Sequence, residues 1–90
     1  MSELDKLEEY LKNKVIPHKR MVDRAWNWNQ IIVYDNHGNQ AWDAVCHRGS
    51  WGYENGLLEI CGNIVDCEKD DGSFVGWLTA ENVIKRIEHR

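Results

Sequence analysis

Long apolar runs are what this chain most plainly lacks. Nothing in its ninety residues approaches the roughly 20 consecutive apolar positions that a membrane-spanning helix needs, so no membrane role is expected. The opening MSELDKLEEY is acidic rather than signal-like, and the expectation that follows is a cytoplasmic protein. Cations are also in short supply. Eleven Lys and Arg stand against fifteen Asp and Glu, a net charge of −4, whereas a broad nucleic-acid-binding face needs clustered cations to displace counterions. Only a local basic pocket fits that balance. Cysteines number three, Cys46, Cys61 and Cys67, an odd count without framework spacing that suits a reducing compartment. No Cys-x-x-Cys or His-x-x-x-His pair occurs, so no metal or other cofactor is expected. Both glycine-rich phosphate signatures, GxxxxGK[ST] and GxGxxG, are missing. The acidic stretch DCEKDDG fails as a calcium loop: counted from Asp66, the glycine position falls on Asp71 and the bidentate glutamate position on Trp77.

What is present describes one small globular domain spanning residues 1–90. Apolar residues make up 42% of the chain, enough for a single core but not two. Ser2 caps a first helix with Asp5 three residues on, and Leu4, Leu7 and Leu11 form its apolar stripe. Pro17 holds Ile16 extended, which ends that helix by about Lys14. HKRMVDR, from His18, alternates weakly and reads as an edge strand. Gln30 to Tyr34 is a better strand, DNHGN a turn, and Ala41 to His47 the returning arm of a hairpin. Tyr53 to Val65 carries Leu57, Ile60, Cys61 and Ile64 at helical spacing, although Gly56 and Gly62 weaken that reading. SFVGWL reads as a short strand, and Thr79 caps a last helix whose inner face is Val83, Ile84 and Ile87. The expected architecture is therefore α+β, in the order α-β-β-β-α-β-α. It has a small, mostly antiparallel sheet of three to four strands covered by about three helices.

Chemistry-bearing residues concentrate in CHRGSWGYENG, Cys46 to Gly56. If a strand ends and a helix begins there, unpaired amides and the helix dipole would attract an anion. Arg48 would then grip a phosphate or carboxylate. Gly49, Ser50 and Gly52 would allow or supply close donors, and Trp51 and Tyr53 would stack on a flat ring. The plainer reading is a tight turn in which Trp51 and Tyr53 close the core edge and Arg48 pairs with Glu54. A second candidate surface is RAWNWNQ. Arg24 stands beside Trp26 and Trp28, which share a face if the stretch is extended, with HKR nearby as a basic supplement. Cys46 and His47 are adjacent but point to opposite faces of a strand, so they do not form a nucleophile–base pair, and no enzymatic activity is expected.

Three blocks carry a resemblance: IIVYD at Ile31 to Asp35, WDAVCHRGSWGYENGLLEI at Trp42 to Ile60, and GWLTAENVIKRI at Gly76 to Ile87. Together they resemble small proteins of bacteriophages and integrated mobile elements of Gram-positive bacteria. The resemblance covers about two-thirds of the chain and brings no catalytic residues with it. It implies an accessory protein in a host bacterial cytoplasm that counters a defence system by binding. One form of that expectation is sequestration of a small nucleotide signal by the Arg48 loop. The alternative is an acidic inhibitor of a host defence protein such as a nuclease, of the anti-CRISPR kind, steered to a basic groove. A structural or regulatory phage role is the third. Small size and five tryptophans also lead to the expectation of a homodimer.

Overall fold

A computed structural model describes residues 1–70 and 72–89 of the chain. Helix α1 spans Glu3–Asn13 and is followed by strand β1 (His18–Asp23), a 3-10 turn (Arg24–Trp26), β2 (Trp28–Tyr34) and β3 (Gln40–Val45). A second 3-10 turn (Tyr53–Asn55), β4 (Leu58–Gly62), β5 (Phe74–Leu78) and helix α2 (Ala80–Glu88) complete it. Each strand pairs antiparallel with the next in sequence, giving one five-stranded sheet in the order β1-β2-β3-β4-β5.

The α+β class and the antiparallel sheet are as the sequence leads one to expect, and so is the β2–β3 hairpin. The element count is not. Residues 53–65 form no helix; they form a one-turn 3-10 segment and then β4, which leaves two helices and five strands among the described residues. Leu58 and Ile60 are fully buried while Glu59 and Cys61 face the other side, a period of two where the sequence pattern suggested 3.6. Short apolar runs satisfy both periods, and the two flanking glycines decide between them. Gly56, at φ 69°, closes the 3-10 turn. At Gly62 (φ 116°) a side chain would meet the Trp42 backbone at 2.5 Å, so the chain there passes too close to β3 to continue as a helix.

Both helices lie on one face of the sheet. Leu4, Leu7 and Leu11 of α1 and Ala80 and Val83 of α2 pack with Ile31, Val33, Trp42, Ala44, Leu58 and Ile60 into one core. Capping boxes start both helices, Ser2 with Asp5 and Thr79 with Asn82. The helices are also tied together. Glu3 Oε1 accepts from the Ala80 amide at 2.7 Å, and Tyr10 Oη donates to Glu88 Oε2 at 3.4 Å. The inner face of β1 meets α1 through polar contacts, which explains its weak alternation. Arg20 donates to Asn29 Oδ1 at 2.8 Å and to Asp5 Oδ1 and Glu8 Oε1 at 3.1 Å each. Arg20 is therefore committed inward, which leaves Lys19 as the exposed cation of HKR. Opposite, the β4–β5 connection is clamped to α2 by a two-bond ion pair between Arg86 and Asp70, at 2.8 and 2.9 Å.

Candidate functional site

Directly opposed residues in an antiparallel sheet project from the same side, so the register identifies what the helices leave uncovered. The open face carries Lys19, Met21 and Asp23 of β1, then Trp28, Gln30 and Ile32 of β2, with Asp43 and Val45 of β3. Glu59 and Cys61 of β4 and Phe74 of β5 continue it. Three aromatic side chains stand out of this face: Trp28 (39% exposed), Trp51 (60%) and Phe74 (54%). Trp51 belongs to the β3–β4 loop but folds onto the sheet. Its amide donates to Glu59 Oε1 at 3.0 Å, and its carbonyl accepts from the Trp77 amide at 3.3 Å. Gly76 provides its seat, since a side chain there would lie 2.4 Å from Trp51 Cβ. In sequence Trp51 reads as a loop residue that either stacks on a ligand or closes the core edge, not as part of a sheet face. Its place on the sheet follows from the β4–β5 pairing, which the helical reading of residues 53–65 concealed.

Between these aromatics runs a polar row. Trp28 Nε1 donates to Gln30 Oε1 at 3.0 Å, and Gln30 Nε2 donates to Asp43 Oδ2 at 2.7 Å. The Trp28 ring stacks on the His47 imidazole with centroids 4.3 Å apart and planes 9° from parallel. Burial raises the Asp43 carboxyl above its usual range, and the nearby Glu59 carboxylate adds to this against the opposing bond from Gln30. Burial likewise pushes up the thiols of Cys46 and Cys61, so neither is an activated nucleophile. All three cysteines are free. Among the described residues no group of three or more His, Cys, Asp or Glu side chains is placed to hold a metal ion.

The Arg48 loop differs from its expected form. No helix starts there, and most of its polar groups are already engaged. The Gly49 amide donates to His47 Nδ1 at 3.2 Å, and the Ser50 amide to the His47 carbonyl at 2.8 Å. The Tyr53 amide donates to the Ser50 carbonyl at 3.3 Å. The Ser50 hydroxyl, nearly buried, donates to the His47 carbonyl and accepts from the His47 amide. The fan of open amides is thus a set of turn bonds. The plainer reading also fails in part, because Trp51 is exposed and Arg48 forms no ion pair with Glu54 or any other acid among the described residues. Arg48, Ser50, Trp51, Gly52, Tyr53, Glu54 and Trp77 line a cleft of about 200 Å³.

The Arg24–Trp28 candidate divides. Arg24 and Trp26 lie in the 3-10 turn, and Asn27 turns left-handed at φ 52°, so the stretch is not extended and the alternation that would align Trp26 with Trp28 is broken. Trp26 projects at 77% exposure, whereas Trp28 joins the open face and, through His47, the Arg48 loop. No known protein family, curated protein or solved structure matches the chain. Among the described residues no helix is long and apolar enough to cross a membrane.

Proposed function

We propose that the chain is a non-enzymatic binding protein that acts through the open face of its sheet, and that its partner is a protein presenting a basic surface. The observation that carries this reading is the uncovered row Trp28–Asp43–Glu59–Trp51–Phe74, in which exposed aromatics flank carboxylates. Exposed aromatic side chains of this kind are the anchors that dominate protein interfaces, and an exposed cluster of them marks an interaction surface. Charge supplies the direction. The net charge is −4, and exposed Asp66 and Glu68 stand in the connection leading to Phe74, so approach of a basic partner is favoured. Inhibition of a host defence protein is the role the resemblance implies for such a surface.

A comparison of immobilised proteins tests this. A protein retained by the wild type should be lost from a Trp51→Ala/Phe74→Ala variant, kept by Glu9→Ala on the outer face of α1, and released by salt. Equal retention by all three would contradict it.

A second reading rests on Arg48, a guanidinium without an acid partner among the described residues, at a cleft walled by Trp51, Tyr53 and Trp77. A small anionic ligand such as a nucleotide signal would place its charge there. The cleft is smaller than the roughly 300–1,000 Å³ of most ligand pockets, so much of a nucleotide would lie outside it. Thermal shift against linear and cyclic nucleotides separates the readings. A nucleotide at a hundred times its Kd adds about 2.7 kcal/mol to the wild type and nothing to Arg48→Ala.

A further inference from the structure

The two edges of the sheet are unlike. At β5, Trp77 turns left-handed at φ 62°, the pairing with β4 slips between Leu58 and Ile60, and the Trp77 amide is taken by Trp51. That edge is interrupted. β1 instead keeps an unbroken six-residue register with β2, contains neither proline nor glycine, and has no strand on its outer side among the described residues. Met21 and Val22 stand 38% and 58% exposed along it. A long, regular edge is a template for another strand. Arg20, which would otherwise guard it, is held by Asp5, Glu8 and Asn29.

We propose that β1 pairs antiparallel with β1 of a second copy of this chain, with Met21 opposite Met21 on the two-fold axis. Backbone phase and side-chain charge select that register. The Tyr34 amide donates to the Pro17 carbonyl at 3.0 Å, so residues 17, 19, 21 and 23 turn their backbone groups toward β2, and residues 18, 20 and 22 turn theirs outward. Outward groups must meet outward groups, so even residues oppose even ones. Centring the pair on Lys19 or Arg20 sets like charges face to face, which is unfavourable. Centring on Val22 drives the pairing into the 3-10 turn at Arg24. Centring on Met21 joins Arg20 to Val22 by backbone bonds, stacks the two methionines, and puts each Lys19 opposite the other copy's Asp23. One Asp23 oxygen already accepts from the Ala25 amide at 3.0 Å, and the other remains for Lys19. The result is a ten-stranded sheet whose open face is continuous across the axis. This dimer does not depend on the partner surface proposed above.

Light scattering over a concentration series tests it. The wild type should approach twice the 10.6 kDa chain mass as concentration rises. Lys19→Glu and Asp23→Lys should each weaken the dimer by about tenfold or more, and the double variant should restore it. Met21→Arg, at an exposed position of the edge strand, should give a monomer whose melting temperature at low concentration matches the wild type. A wild type that stays at 10.6 kDa overturns the proposal. So does a dimer indifferent to the single substitutions, or one that the double variant fails to restore.

Discussion

Val15 adopts φ 56°, a left-handed conformation that costs an L-residue roughly 1–2 kcal/mol and suits a β-branched one least. It does so because α1 ends in a Schellman turn. The Ile16 amide donates to the Leu11 carbonyl at 2.9 Å and the Val15 amide to Lys12 at 3.1 Å, which places Val15 where glycine is usual. Its side chain is 86% exposed and buries little, so Val15→Gly should raise stability by about 0.5–1 kcal/mol in thermal melts, part of the relieved strain being offset by glycine's greater freedom when unfolded. Asp43 makes the opposite kind of demand. A raised folded-state pKa means the fold prefers the protonated acid, a preference that adds stability below the unfolded pKa and is lost as pH rises through the folded one. Asp43→Asn keeps an acceptor for Gln30 and should therefore melt higher than the wild type at pH 7, with the difference vanishing in acid. If the carboxylate serves binding, the same variant should bind its protein partner more weakly while being more stable.

The connection between β4 and β5 is clamped to α2 by the Arg86–Asp70 pair, and acid should release it. Arg86 holds the Asp70 carboxyl down at about 2, from an ordinary value of 3.8, by donating two hydrogen bonds. A depressed carboxylate stabilises the fold above its unfolded pKa, and that contribution is lost as pH falls from about 4 toward 2. Asp70→Asn should remove this part of the acid dependence, read from melting temperatures across that range. Elements such as this clamp show where sequence was informative and where it was not. Caps, the proline boundary and the DNHGN turn are local signals, and α1, the β2–β3 hairpin and α2 could all be read from them. β4 could not, because Leu57, Leu58, Ile60, Cys61 and Ile64 satisfy two periods, and the turn at Gly56 and the approach of Gly62 to Trp42 decide between them. The candidate site inherited that ambiguity. Arg48 to Tyr53 drew notice by composition, but the seat of Trp51 on Gly76 and the stacking of Trp28 on His47 join residues 25 and 19 positions apart, and no local pattern encodes such contacts.

As a whole, the molecule has two unequal sheet faces. Helices cover one, which holds the core, and the other keeps exposed aromatics beside partly buried carboxylates. The radius of gyration, 12.3 Å, matches the value of about 12 Å expected of ninety compactly folded residues, so the open face is not a product of loose packing. A chain that places two helices on one side of its sheet leaves on the other a surface on which exposed aromatics flank carboxylates. Site-specific photo-crosslinking in bacterial cells tests this account most directly, with benzoylphenylalanine placed at position 74 on the open face or at position 9 on the outer side of α1. The account predicts a discrete adduct from position 74 alone, its captured peptide rich in Lys and Arg and its yield falling when Asp43 and Glu59 are neutralised. An adduct from position 9 with none from position 74 would contradict it.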